Sequence, residues 1–205
     1  MEKEKNMHSI LDNIPENPVQ TEYYLFYLHG LIIEEAGIRP NHPEFGYYEY
    51  ELILETLSKK GFTVISEVRG KGTEIISYAE RVAGQIKTLI KKGVPPGHIS
   101  LIGASKGGAI GAYVSKLLDE KQIHYVILAG LFKKYLVDDE LHLTGNVLSI
   151  HDRADKLEIT PDPYFDRSNR IGRHEALVVE KGVGHGLVYQ PYKEWLHPAI
   201  EWIKP

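Results

Sequence analysis

Six short runs rich in β-branched and aromatic residues, at 23–28, 62–68, 99–103, 125–129, 147–150 and 176–179, alternate with segments of helical period. Strand and helix in such alternation imply βαβ units, a mostly parallel sheet and helices on both of its faces. Five of the runs are almost uninterrupted in apolar character, as strands covered on both sides must be. The run at 62–68 alternates more and is expected nearer an edge.

The intervening segments are equally readable. From Thr73, a candidate N-cap followed by Glu74, apolar positions recur at three- and four-residue steps: Ile76, Ala79, Ala83, Ile86, Leu89 and Ile90, until Gly93 ends the pattern. Further helices are predicted over 45–60, 106–119 and 192–203. Tyr47, Tyr48 and Tyr50 fall in the first of these, where half-buried packing with the hydroxyls in water accounts for them. Segments 131–145 and 156–174 lack a clear period, and each is read as a short helix or a loop over the sheet's edge. Residues 1–22, with Pro15 and Pro18, read as an arm ahead of one domain at 23–205. The expected architecture is a three-layer αβα sandwich around a twisted, mostly parallel sheet of about six to seven strands.

Composition removes several function classes. With 24 Lys and Arg against 28 Asp and Glu, the net charge of −4 offers phosphate backbones no general attraction, so nucleic acid is not an expected partner. No apolar run approaches the roughly 18 residues of a spanning helix, and the polar start carries no signal-like stretch, so the chain reads as cytoplasmic with no membrane partner. The absence of cysteine excludes thiolate metal sites and a Cys nucleophile.

Parallel sheets bind ligands outside the carboxyl ends of their strands. The third run ends in Gly103-Ala104-Ser105-Lys106-Gly107, a G-x-S-x-G match set between a strand and a helix. Such a turn exposes a strained serine, and the small flanking residues let strand and helix approach. A phosphate-binding turn is the plainer reading, but neither G-x-G-x-x-G nor the P-loop pattern occurs. A serine hydroxyl needs a base oriented by a carboxylate. After the last run comes Gly184-His185-Gly186, and after the fifth His151-Asp152-Arg153-Ala154-Asp155. Read alone, His185 is either a catalytic base or incidental to a surface turn, and a metal site from His151, Asp152 and Asp155 is disfavoured because no second histidine is suitably spaced.

These residues, in the order Ser, Asp, His and together with His29-Gly30-Leu31 after the first run, resemble the α/β-hydrolase superfamily over about residues 23–203. The resemblance implies a small serine esterase-like core; with only 131–145 and 156–174 left as insertions no separate cap domain fits, and the six runs leave out the two leading strands usual in the family. It implies Ser105 as nucleophile, His185 as base, and Leu31 and Lys106 as backbone N–H donors of the oxyanion hole. It places the acid four residues after a strand-end histidine, hence at Asp155, with Asp152 standing where a glycine is usual and serving as a helper or a surface charge. Its activity would be cleavage of a small-molecule ester or thioester without cofactor or metal. Acyl transfer and a non-catalytic binding role on the same fold are the alternatives. The Lys106 side chain is read as solvated, or else as favouring an anionic substrate. Arg69 is read as a surface ion pair, or as a partner for a substrate carboxylate or phosphate if it faces the cleft. His29, Arg69 and Phe132 are the candidate substrate-binding side chains, and Leu131, Phe132 and Tyr135 form either a pocket wall or the inner face of a core helix. Substrate identity and oligomeric state are not legible.

Overall fold

The computed structural model describes residues 9–131, 141–157 and 162–204. In chain order its elements are β1 (Ile10–Leu11), β2 (Tyr24–Leu28), α1 (Leu31–Ala36), β3 (Asn41–His42), β4 (Gly46–Tyr47), α2 (Tyr50–Lys59), β5 (Thr63–Ile65), α3 (Ile75–Lys91), β6 (Ile99–Ala104), α4 (Lys106–Leu118), β7 (His124–Leu128), β8 (Gly145–Asp152), α5 (Asp162–Asp166), β9 (Ile171–Val179) and α6 (Lys193–Ile203). Short 3-10 turns occupy Pro96–His98 and Gly184–Tyr189.

Seven strands make one sheet in the order β1-β5-β2-β6-β7-β8-β9, and every pairing in it is parallel. Alternate residues of a strand face opposite sides, which divides the core in two. Tyr24, Phe26, Leu101, Tyr125 and Ile127 pack with α3 and α4 on one face. Leu25, Tyr27, Ile102, Val126 and Leu148 pack with α2 and α6 on the other. The result is the expected three-layer sandwich. From β2 the chain passes by α2 to β5 on one side, then returns by α3 to β6 on the other. The carboxyl ends of β2 and β6 therefore flank a point where the winding reverses, the place at which open α/β sheets leave a crevice.

All six strands read from the sequence are present, and the differences lie in short elements. Residues 10–11, read as part of an arm, pair with β5 as a seventh strand, so the 62–68 run yields a strand one place in from the edge. A two-residue strand has no period to read; its bonds are backbone ones, Val64 N–H to Ser9 O and Ser66 N–H to Leu11 O. The helix expected from 45 begins at Tyr50, because Gly46, at φ +75°, turns 41–47 into a hairpin of β3 and β4. Glu74 rather than Thr73 is the N-cap of α3, the Thr73 hydroxyl bonding back to Gly70 O. Tyr48 and Tyr50 are fully buried, not half-wet, and their hydroxyls bond those of Tyr27 and Ser66 at 2.9 and 2.7 Å. Leu131 lies in the core beside α4, while Phe132 and Tyr135 are outside the described residues.

Helix α4 lies against the sheet through glycine. A Cβ on Gly107 would collide with the carbonyls of Leu28 and His29, one on Gly103 with Gly107, and one on Gly108 with Gly130. Gly107→Ala should therefore cost about 3 kcal/mol or more, since the obstacles are backbone atoms that cannot swing aside. Gly84 in α3 has open space around it, and Gly84→Ala should stabilise by roughly 0.5–1 kcal/mol. Urea denaturation of the two variants checks the contrast; similar midpoints for both would show that α4 does not need the close approach.

Candidate active site

Strand β6 delivers Ser105 to the crevice and α4 begins immediately after it. In the turn Ser105 takes φ 53° and ψ −119°, a left-handed backbone that a non-glycine residue adopts only when its surroundings impose it. Those surroundings are the glycine contacts of α4 and two backbone bonds, Ser105 N–H to Leu128 O at 2.9 Å and Gly108 N–H to Ser105 O at 2.8 Å.

The histidine arrives from the far side of the sheet. Gly184, at φ +56°, lies close to Ala154 O, and a Cβ on Gly186 would press into the Phe45 ring. The two glycines allow the 3-10 turn to settle between the acid loop and that ring. His185 Nε2 is 2.9 Å from Ser105 Oγ, and His185 Nδ1 is 2.8 Å from Asp155 Oδ2. A carboxylate can only accept, so Nδ1 carries the proton and Nε2 is left to accept from the serine hydroxyl. The Asp155 side chain is 1% exposed, and its other oxygen accepts the Leu157 N–H at 3.0 Å.

Asp152 is completely buried. Its oxygens accept the N–H groups of Ala154 at 2.8 Å and Val183 at 3.2 Å, tying the acid loop to the histidine loop. Asp152 is therefore not a surface charge. Both carboxylates are thus committed, and among the described residues no group of three His, Asp or Glu is placed to hold a metal ion.

Leu31 and Lys106 are the first residues of α1 and α4, so neither N–H has a carbonyl in the preceding turn to bond. The two helix starts are adjacent: a Cβ built on Gly30 would lie 3.5 Å from Ser105 Cβ.

Beneath them is a group of side chains that the sequence did not disclose as a unit. Glu34 has a side chain with no exposure, and it accepts from Arg69 Nε at 2.8 Å and Lys106 Nζ at 2.6 Å. Lys106 also donates to Thr73 O at 2.6 Å. Lys106 is 6% exposed and Arg69 2%, so neither the solvated lysine nor the surface arginine expected from sequence is found. Arg69 donates from Nε to Glu34 and from Nη2 to His29 O, which turns its guanidinium into the interior. Losing one member of such a buried group costs roughly 3–5 kcal/mol, because it strands the opposite charge. Glu34 carries no motif; in Leu31-Ile32-Ile33-Glu34-Glu35-Ala36 nothing separates it from exposed Glu35 except the phase of a six-residue helix.

His29, a candidate for substrate contact, is wholly buried. Its Nε2 accepts the Arg69 N–H at 2.9 Å, so Nδ1 carries the proton and donates to Gly30 O at 2.9 Å. Burial first, then the Arg69 charge, lowers its pKa from 6.5 to about 3, and the ring is neutral above that. Between those two values the folded ring binds fewer protons than the unfolded one. Its contribution to stability is thus complete above pH 6.5 and drains as the pH falls toward 3. Denaturation midpoints taken between about pH 7 and about pH 4 should fall more steeply for the wild type than for His29→Gln; parallel curves would contradict the neutral, buried ring.

No protein-family model matches the sequence, and no curated protein does. Solved structures do match. Protein ATU1826 of Agrobacterium tumefaciens, described as an α/β-hydrolase candidate, is 16% identical, with 91% of this chain and 86% of that one covered at a TM-score of 0.62. A dienelactone-hydrolase candidate from Klebsiella pneumoniae is 14% identical over 92% of this chain and 89% of its own, TM-score 0.60. SOBER1 of Arabidopsis thaliana is 14% identical over 89% and 98%, TM-score 0.56. At such identities the likeness is one of architecture, and it agrees with the parallel sheet and its two helical layers: this chain has the α/β-hydrolase fold.

Proposed function

We propose that the protein is a serine hydrolase that cleaves a carboxylic ester or thioester through an acyl-enzyme. One observation carries the reading: the unbroken relay from Ser105 Oγ through the His185 ring to buried Asp155, at 2.9 and 2.8 Å, on a backbone strained at the serine. Strain held at a strand-end residue is costly and persists where the fold overdetermines it, as at functional sites. The solved structures of hydrolase candidates with this fold add support.

In this mechanism Ser105 Oγ attacks the carbonyl carbon while its proton passes to His185 Nε2. Asp155 holds the Nδ1–H tautomer and stabilises the imidazolium. The negative charge that develops on the carbonyl oxygen is taken by the N–H groups of Leu31 and Lys106. Collapse breaks the bond to the leaving alcohol or thiol, which departs with the proton from Nε2. Water then attacks the acyl-enzyme with His185 again as base, and the acid product and free serine result.

Steady-state hydrolysis of p-nitrophenyl esters of graded acyl length tests the assignment. Ser105→Ala should abolish turnover, and Asp155→Asn should lower kcat by about 10³- to 10⁴-fold by favouring the wrong tautomer. Asp152→Asn should instead lose about 1–3 kcal/mol of stability while keeping kcat within roughly tenfold, because it disturbs a loop tie rather than the relay. A reversed order of the two asparagine variants would transfer the acid role to Asp152, and full turnover by Ser105→Ala would remove the serine mechanism.

A further inference from the structure

The buried charges under the elbow are not surface decoration, and the relay of Ser105, His185 and Asp155 does not use them. Their connections lead to both backbone N–H groups that the hydrolase reading assigns to the oxyanion. We infer that Glu34 is a positioning residue for the oxyanion hole, setting the N–H of Lys106 and the N–H of Leu31 relative to each other; this rests on the serine-hydrolase reading above.

Two branches leave the Glu34 carboxylate. The first is direct: Oε2 accepts from the Lys106 ammonium at 2.6 Å, and Lys106 is the residue whose own N–H opens α4 behind Ser105. The second runs through Arg69. Oε1 accepts from Arg69 Nε at 2.8 Å; Arg69 donates through Nη2 to His29 O and through its backbone N–H to His29 Nε2; His29 Nδ1 donates to Gly30 O. A trans peptide is planar with its C=O and N–H pointing oppositely, so fixing Gly30 O fixes the direction of the Leu31 N–H. One carboxylate therefore holds the peptide that starts α4 and, through two intermediaries, the peptide that starts α1.

This arrangement has the cost and the benefit expected of preorganisation. Donors aimed in advance at a developing oxyanion need no reorganisation during the reaction, and small misplacement weakens them. The donors contact charge that appears in the transition state, so loosening them should lower kcat and leave KM little changed. The group holds one negative and two positive charges. Removing Glu34 alone strands two cations and threatens folding.

The test is therefore the pair Glu34→Gln with Lys106→Met in one chain. It removes the tie between α1 and the elbow but keeps an acceptor for Arg69 Nε and the same net charge in the interior. At a temperature where circular dichroism shows the protein folded, kcat for p-nitrophenyl acetate should be lower by about 10- to 100-fold with KM within about twofold. Lys106→Met alone, which leaves Glu34 paired with Arg69, should show the same split and serves if the double variant does not fold. Wild-type kcat in a folded variant, or a loss expressed wholly in KM, would overturn the inference. A wild-type protein that hydrolyses no ester would overturn the hydrolase reading instead, before any variant is compared.

Discussion

Helix α4 can begin where it does only because Gly107 has no side chain to strike the Leu28 and His29 carbonyls, and Gly103 and Gly108 none to strike Gly107 and Gly130. From that contact the rest of the site follows. It brings the helix start against the ends of β2 and β6, forces Ser105 to φ 53°, and lifts its hydroxyl toward the His185 loop. The strain spreads to the neighbouring strand end, where Ala129 sits at φ 47° and donates its N–H to Ile150 O at 2.7 Å. Positions so far from the preferred backbone are held by surrounding bonds and packing, and the energy stored there comes out of the stability of the whole core.

Charge is the second constraint. An α/β core is apolar, yet Glu34, Arg69 and Lys106 are buried in it, Lys106 directly after Ser105. Such groups survive burial when paired and hydrogen-bonded: each carboxylate oxygen meets a cation, and the cations also meet the carbonyls of His29 and Thr73, while Arg69 Nη1 is buried without a hydrogen-bond partner. His29 is kept neutral by the same surroundings, which fixes its tautomer and with it the Gly30 carbonyl. Asp152 does for the acid and histidine loops what Glu34 does for the two helix starts, accepting a backbone N–H from each side. Asp152 bonds peptide N–H groups directly, whereas Glu34 bonds side-chain cations and reaches the peptides through them.

Much of this is legible in the sequence alone. The strands show as continuous apolar runs, the turn at Ser105 as small residues at a strand end, and His185 as a histidine between glycines after the last strand; Asp155 in preference to Asp152 is what the α/β-hydrolase resemblance implies. The remaining features lack a periodic or compositional signal. Strand β1 is two residues long and held by backbone bonds, and the hairpin of β3 and β4 depends on one glycine at positive φ. Glu34, Arg69 and Lys106 come from three separate elements, and their meeting depends on the sheet order placing β5 and β6 on either side of β2. A lysine next to a serine looks solvated in a sequence. Only the α1 carboxylate across the crevice makes it an interior group.

The proposed mechanism requires that the fold activate one serine of the chain, Ser105. Intact-protein mass spectrometry after exposure to a fluorophosphonate reads that activation without any assumption about the natural substrate. A single adduct mapping to Ser105, absent from a folded Ser105→Ala variant, is the predicted result. A folded wild-type protein that takes up no adduct, or a Ser105→Ala variant labelled to the same extent, would contradict it.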